Sequence, residues 1–120
     1  MQGEILDAGV ITFKTATAVS RWHFVELAAS SDAVQHVGTA GNAGIGVCLD
    51  DAAVGTGVPV LIHGQGIARV VAGGTVTVGG PVKSTATGTV VDQGGTGNII
   101  GRALASGAAG EVIPVLTGVI

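Results

Sequence analysis

Few residues of this 120-residue sequence belong to the types that carry acid–base or metal chemistry, and their spacing does not group them. Asp50 and Asp51 are adjacent carboxylates, which could bind a cation or share a proton. Adjacent residues of a strand point to opposite faces, so we predict that this pair lies in a solvated turn. His23, His36 and His63 form no H-x-H or H-x-x-x-H pair. We therefore expect no catalytic residue, no metal site and no cofactor.

The remaining candidate motifs also predict structure rather than chemistry. Cys48 is the only cysteine, which excludes a disulfide within one chain and favours a small buried thiol. No G-x-S-x-G motif for a serine nucleophile is present. The stretch GGTGNIIG, residues 94–101, lacks the Gly-Lys-Ser/Thr ending of a phosphate-binding loop and leads into β-branched residues rather than a helix.

The three aromatic residues, Phe13, Trp22 and Phe24, all lie in the first 24 positions. Trp22 and Phe24 are two apart, so on a strand they would share a face. One interpretation is a local core cluster. The other is an interface anchor, because tryptophan is enriched among residues that dominate binding energies. A carbohydrate-binding module would usually present several stacking rings, of which this sequence offers few.

Composition excludes several function classes. The net charge is −3, and the five basic residues are scattered, which argues against nucleic-acid binding. No apolar run approaches the roughly 18 residues that a membrane-spanning helix needs. Charged residues make up only 11% of the chain, whereas soluble domains average about 25%. Such a surface favours a protein that covers part of itself in an assembly.

Short β-branched segments separated by glycine-rich turns predict an all-β fold. We expect a compact sandwich or barrel, jelly-roll or β-tulip like. No sustained helical period is present. The expected strands are Val10–Thr15, Trp22–Leu27, Val34–Val37, Gly44–Leu49, Val58–His63, Ile67–Val71, Thr75–Val78, Thr89–Val91, Ile99–Leu104 and Val112–Thr117.

An internal repeat organises these strands. Residues 45–61 return at 100–116 with eight identities in seventeen positions, all of them apolar, Gly or Pro. Gly46 and Gly101 are expected to permit close backbone approach, and Pro59 and Pro114 to lie near strand starts. We predict an N-terminal arm, residues 1–11, and one β domain, residues 12–120, containing related units at about 20–64 and 75–118.

The repeated pattern carries a family resemblance. Residues 64–116, with AGGTVTVGGPV, TATGTVV, IIGRALASGAAGE and VIPVL, resemble the small decoration (cement) proteins of tailed-phage capsids. The earlier IGVCLDDAAVGTGVPVLIHG looks like the first-half phrase of the same family. The resemblance implies a β-rich structural protein without enzymatic activity. It implies that the chain is made in the host cytoplasm and binds the major capsid protein on the outside of the head. It also implies that the chain commonly binds there as a homotrimer.

We interpret a set of N-terminal residues as the capsid or trimer interface, because the arm differs in character from the rest and Trp22 is a natural anchor. This set is Glu4, Ile5, Leu6, Val10, Trp22 and Phe24. Two alternative functions remain at this point: a head-fibre or tail-associated structural domain of a phage, and a carbohydrate-binding β module.

Overall fold

The computed structural model describes residues 9–28, 33–64 and 66–117, and these form ten strands without a helix. The strands lie in two antiparallel five-stranded sheets, so the predicted all-β class is confirmed. In chain order they are β1 (Val10–Lys14), β2 (Phe24–Leu27), β3 (Val34–His36), β4 (Gly46–Cys48), β5 (Gly57–Ile62), β6 (Ile67–Val71), β7 (Pro81–Ser84), β8 (Val90–Asp92), β9 (Gly101–Ala103) and β10 (Val112–Thr117).

The two sheets have the same topology. The first unit, β1–β5, has the order β1-β5-β4-β2-β3, and the second unit, β6–β10, has the order β6-β10-β9-β7-β8. Strand registers also correspond, since Val10 pairs with Leu61 in the first unit as Ile67 pairs with Leu116 in the second. The chain thus builds one five-stranded unit twice, at an offset of 55 to 57 residues.

Each unit curls until its two edges meet. β1 and β3 are the outer strands of the first sheet, and Thr15, just after β1, forms a parallel bridge with Val34 of β3. The second unit has the corresponding bridge between Ala72 and Val90. Joining the two edges protects backbone groups that an open sheet would leave unpaired.

The glycines of the repeated phrase allow adjacent strands to approach closely, and its proline lies where a missing N–H is tolerated. A Cβ atom at Gly46 would overlap the carbonyl oxygen of Leu61 on β5, and one at Gly101 would overlap that of Leu116 on β10. The carbonyl of Pro59 accepts a hydrogen bond from the N–H of Leu49, 2.9 Å away, just past the end of β4. An N–H at Pro59 would point to the same neighbour as its carbonyl, so the hydrogen bond that proline cannot donate lies just past the end of β4.

One predicted strand is absent, and one observed strand was not predicted. Thr75–Val78 is not a strand; its only ladder contact is a single bridge from Val76 to Gly107. The sequence reading instead missed β7, because Gly79-Gly80-Pro81 is typical of a turn. Proline is tolerated as the first residue of a strand, and Val82 and Ser84 of β7 are fully buried.

The N-terminal boundary also needs correction. Val10 and Ile11, which we assigned to an arm, belong to β1 and pair with Leu61 and Val60 of β5. The predicted units at 20–64 and 75–118 leave out β1 and β6, the first strand of each observed unit. The rest of the predicted arm, residues 1–8, lies outside the described residues.

Two apolar clusters form the core. The smaller lies inside the first unit and includes Val25, Cys48, Val58 and Val60, with Phe13 against it. The larger fills the second unit, and it also contains Phe24, Val37 and Val47 from the first unit. Side chains of a strand alternate in direction, so Phe24 and Val47 project from the first unit opposite to their neighbours Val25 and Cys48. The outer face of the first unit thereby packs against the second.

Backbone hydrogen bonds fix this junction. The Phe24 N–H donates to the Gly88 carbonyl at 2.7 Å, and the Val71 N–H donates to the Trp22 carbonyl at 3.0 Å. The Gly41 N–H donates to the Ser84 carbonyl at 2.9 Å. The two units touch through different surfaces, so the contact is head-to-tail and not a symmetric pairing.

Candidate docking surface around Trp22

Trp22 occupies a backbone conformation that disfavours a side chain. Its φ is 65°, and it is the one non-glycine residue with positive φ among those described. Its N–H donates to the Cys48 carbonyl at 2.8 Å. The corresponding residue of the second unit is Gly79, with φ of 82° and its N–H bonded to the Ala103 carbonyl at 2.8 Å. The first unit thus accepts a cost of about 1–2 kcal/mol to place tryptophan where the second uses glycine.

The acidic pair supports the turn that carries Trp22. Asp51 accepts a hydrogen bond from the Arg21 N–H at 2.7 Å, and Asp50 lies 3.4 Å from the Arg21 guanidinium. Both carboxylates are in exposed positions, as predicted. In the second unit the Ser106 hydroxyl accepts from the Val78 N–H at 2.9 Å, in the place of Asp51. A side-chain acceptor at this position is therefore common to both units, which sequence reasoning missed because Asp and Ser do not count as identities.

Trp22 lines a groove between the two units. The groove measures about 280 Å³ and is lined by Trp22, Arg69, Val112, Ile113 and Pro114. The Arg21 guanidinium lies 5.2 Å from the centre of the Trp22 ring, a cation–π distance. Arg69 is exposed, lies opposite Pro114 in the β6–β10 register, and makes no side-chain hydrogen bond or ion pair with any described residue. The groove therefore combines an apolar floor with an unpaired positive charge.

The groove continues onto an apolar outer face of the second unit. We call this the β6–β10 face; it comprises Ile67, Arg69, Leu104, Val112, Pro114 and Leu116. Ile67 is 61% exposed and Leu116 is 42% exposed, and the two lie opposite each other. Of the eight large apolar side chains exposed among the described residues, six belong to the second unit. Such a concentration marks an interaction surface.

Comparison with known proteins identifies the family. A family model described as phage cement protein matches residues 5–118, nearly the whole chain. The chain belongs to the phage cement protein family. This membership makes it a structural component of a phage particle and confirms the resemblance stated from the sequence. No curated protein matches the chain.

The fold of this cement-family chain also occurs in a solved structure, described as the head fiber gp8.5 N base of bacteriophage phi29. The likeness has a TM-score of 0.77 at 17% sequence identity and covers 91% of this chain and 92% of that one. At this identity the likeness shows a shared fold.

The structure separates the residues that the sequence grouped as an interface. Trp22 precedes β2 and is partly exposed at the groove, whereas Phe24 is fully buried in the core. The two do not share a face, and Phe24 offers no surface to a partner, so its assignment to the interface is corrected. Val10 lies in β1 and is half-buried. The remaining three, Glu4, Ile5 and Leu6, lie outside the described residues.

Two of the three histidines, His23 and His36, and the cysteine also pack around the Trp22 turn. The rings of His23 and His36 stack with centroids 4.7 Å apart, and the Ser20 N–H donates to His36 Nε2 at 2.9 Å. Burial, together with the neighbouring His23, lowers the pKa of His36. Burial raises the pKa of the Cys48 thiol, which donates to the Ser20 carbonyl at 2.8 Å. These groups stabilise the turn, and their separation along the chain concealed that role.

No constellation for chemistry accompanies this surface. In the part of the chain that the structure describes, no three His, Cys, Asp or Glu residues are arranged to hold a metal ion. The same residues include no helix long and apolar enough to cross a bilayer. The groove and the β6–β10 face offer apolar contact area, an arginine (Arg69) without an acidic partner among the described residues, and one large aromatic side chain, which suits recognition of another protein.

Proposed function

We propose that this chain binds the outer surface of a tailed-phage capsid lattice and stabilises the expanded head, without catalytic activity. Its partners are the major capsid protein and further copies of itself, as a homotrimer. It is made in the host cytoplasm and is carried on the outside of the virion.

The family match over residues 5–118 is the observation that supports this proposal most directly. The surface adds a physical reason, because an apolar face with little charge is better covered in an assembly than left in water. Reinforcement of a shell needs only weak contacts from each copy, since many copies act together and their contacts add.

Copy number on the particle tests the proposal. We would purify particles of the source phage on a density gradient and quantify this chain against the major capsid protein. A ratio near one per capsid subunit, or a fixed lattice fraction such as one-third, supports lattice-wide decoration. Absence from the particle would overturn the proposal.

Reinforcement requires a separate measurement. Particles lacking this chain should release their DNA at a lower temperature than complete particles, and adding back the purified protein should restore the difference. Unchanged DNA release at matched copy number would leave a decoration protein that does not stabilise the head, contrary to our proposal.

A head-fibre base is the second candidate, and the structural likeness to the phi29 head fiber N base favours it. We expect a fibre base to be present in fewer copies than a lattice-wide decoration protein and to carry a further attached segment. The same copy-number measurement therefore separates the two functions.

A further inference from the structure

We propose that the Trp22 groove and the adjoining β6–β10 face bind the acidic, apolar segment Glu4–Asp7 of a second copy of this chain. This deepens the proposed self-association, on which it rests, by naming the two surfaces that meet. It joins Trp22 with Glu4, Ile5 and Leu6 in one contact between neighbouring subunits.

The receiving surface selects an apolar segment that carries negative charge. Val112 and Pro114 lie two residues apart on β10 and line the groove together with Trp22. Arg69 lies opposite Pro114 and has no acidic partner among the described residues. A guanidinium surrounded by apolar side chains favours a ligand that brings its own carboxylate, because the ion pair is then partly shielded from water.

The sequence Glu4-Ile5-Leu6-Asp7 has this chemistry. If the segment docks in extended form, Glu4 and Leu6 project to one side and Ile5 and Asp7 to the other. Either side then presents one carboxylate and one branched apolar side chain, about 6.7 Å apart along the strand. That spacing matches neighbouring positions on one face of β6 and β10, where Arg69 lies beside apolar residues.

The length of the N-terminal segment is sufficient for a contact with a neighbouring copy. Gly9 adjoins β5, where its carbonyl accepts from the Ile62 N–H at 2.9 Å. Eight preceding residues span roughly 25 Å when extended. This length is comparable with the 28 and 22 Å dimensions of the molecule, so the segment can extend beyond its own subunit, and dilution of the full-length chain distinguishes a neighbouring copy from the chain's own groove.

The single tryptophan provides the assay. The acceptor is the chain lacking residues 1–8, whose fluorescence reports Trp22 alone. The donor is the full chain carrying Trp22→Gly, which has the N-terminal segment and no tryptophan. Titrating donor into acceptor should shift the emission of Trp22 to shorter wavelength and saturate. A donor that also lacks residues 1–8 is the matched control and should give no shift.

Charge exchange tests which side chains recognise each other. Arg69→Glu in the acceptor should weaken binding about tenfold, or 1.4 kcal/mol, and Glu4→Lys with Asp7→Lys in the donor should restore it. Lys14→Glu, a change of the same charge on an exposed residue of the first unit, should have little effect. Urea unfolding of each variant, followed by circular dichroism, establishes that it is folded before it is titrated.

Each result decides the proposal. A saturable shift that depends on Arg69 supports it. No shift with folded partners overturns it, and so does binding that is indifferent to Arg69→Glu. A full-length chain whose Trp22 emission is already shifted and is independent of dilution down to nanomolar concentration would assign the segment to its own groove and overturn the contact between copies. None of these measurements involves a capsid, so failure here leaves the copy-number test of capsid binding intact.

Discussion

Because φ is positive at Trp22, a glycine variant at this position should be more stable than an alanine variant, which is the reverse of the usual order. At ordinary backbone angles, alanine is more stable than glycine by about 0.4–1 kcal/mol, because it restricts the unfolded chain. At a φ of 65° the Cβ atom instead costs about 1–2 kcal/mol. Trp22→Gly should therefore be more stable than Trp22→Ala by about 1 kcal/mol. Loss of the indole contacts is common to both variants and cancels in the comparison.

Gly79 supplies the reciprocal change at the corresponding position. Its φ is 82°, and a Cβ atom placed there would meet nothing within 4 Å. Gly79→Ala should therefore lose about 1 kcal/mol through the backbone alone. Gly38→Ala is the control, since its φ is not in the left-handed region and its nearest neighbour, Glu26, lies 3.7 Å from the added Cβ. It should be neutral or slightly stabilising.

Urea unfolding followed by far-ultraviolet circular dichroism measures all four variants, because the signal does not depend on tryptophan. In thermal unfolding, the same difference of 1 kcal/mol would correspond to about 4 °C in Tm for a chain of this size. Our reasoning would be refuted if Trp22→Ala equalled or exceeded Trp22→Gly in stability, or if Gly79→Ala behaved like Gly38→Ala. The backbone at Trp22 would then not be strained, and the presence of tryptophan at this position would need no functional explanation.

Three further predictions concern the fold. Gly46→Ala and Gly101→Ala should each lower the free energy of unfolding by about 3 kcal/mol or more, because the new Cβ would overlap a carbonyl oxygen of the adjacent strand. Urea unfolding measures this loss, and a small loss would mean that the strands separate easily. Burial lowers the pKa of both His36 and His63, so the unfolded chain binds more protons below its ordinary histidine pKa of about 6.5. Stability should be complete above that pH and fall as the pH drops through the lowered folded-state values; urea midpoints that do not change between about pH 7.5 and 5 would contradict this, and His36→Gln and His63→Gln should each flatten the dependence. Pro59→Ala and Pro114→Ala should each lower the free energy of unfolding by less than about 3 kcal/mol, because the side of each proline that would carry an N–H faces a residue just past the end of the neighbouring strand, Leu49 or Leu104. A larger loss in thermal unfolding would show that the prolines restrain the strands in another way.

Local pattern was sufficient to predict most of the fold. Alternating β-branched residues located nine of the ten strands, and the glycine of the repeated phrase predicted the close approach at Gly46 and Gly101. The exception, β7, begins at Pro81 directly after two glycines, where turn and strand signals overlap. Val10 and Ile11 looked unpaired because their partners lie 50 residues away on β5. A prediction from neighbouring residues alone cannot identify a strand partner so far away along the chain.

The candidate site was less predictable because it depends on the junction between the units. Phe24 and Trp22 are both aromatic and two residues apart, yet the positive φ of Trp22 turns one toward the groove and leaves the other in the core. Arg69 belongs to no motif, and Val112 and Pro114 belong to one that predicts only structure; the pairing of β6 with β10 places Arg69 beside them at the groove that Trp22 lines. The useful signal was an internal difference, tryptophan at a position where the second unit has glycine, and it emerges once the two units are aligned by structure.

The head-to-tail junction explains why the apolar surface accumulates on the second unit. The first unit packs its outer residues Phe24, Val47 and Leu61 against its successor. The corresponding residues of the second unit are Pro81, Arg102 and Leu116; among the described residues no further unit packs against them, and Leu116 is 42% exposed. A head-to-tail contact between two units leaves one such face uncovered on the second unit, and this is the face at which we propose the contact between copies. Arginine in place of Val47 keeps this face compatible with water before assembly, while the apolar residues around it retain the area for a contact.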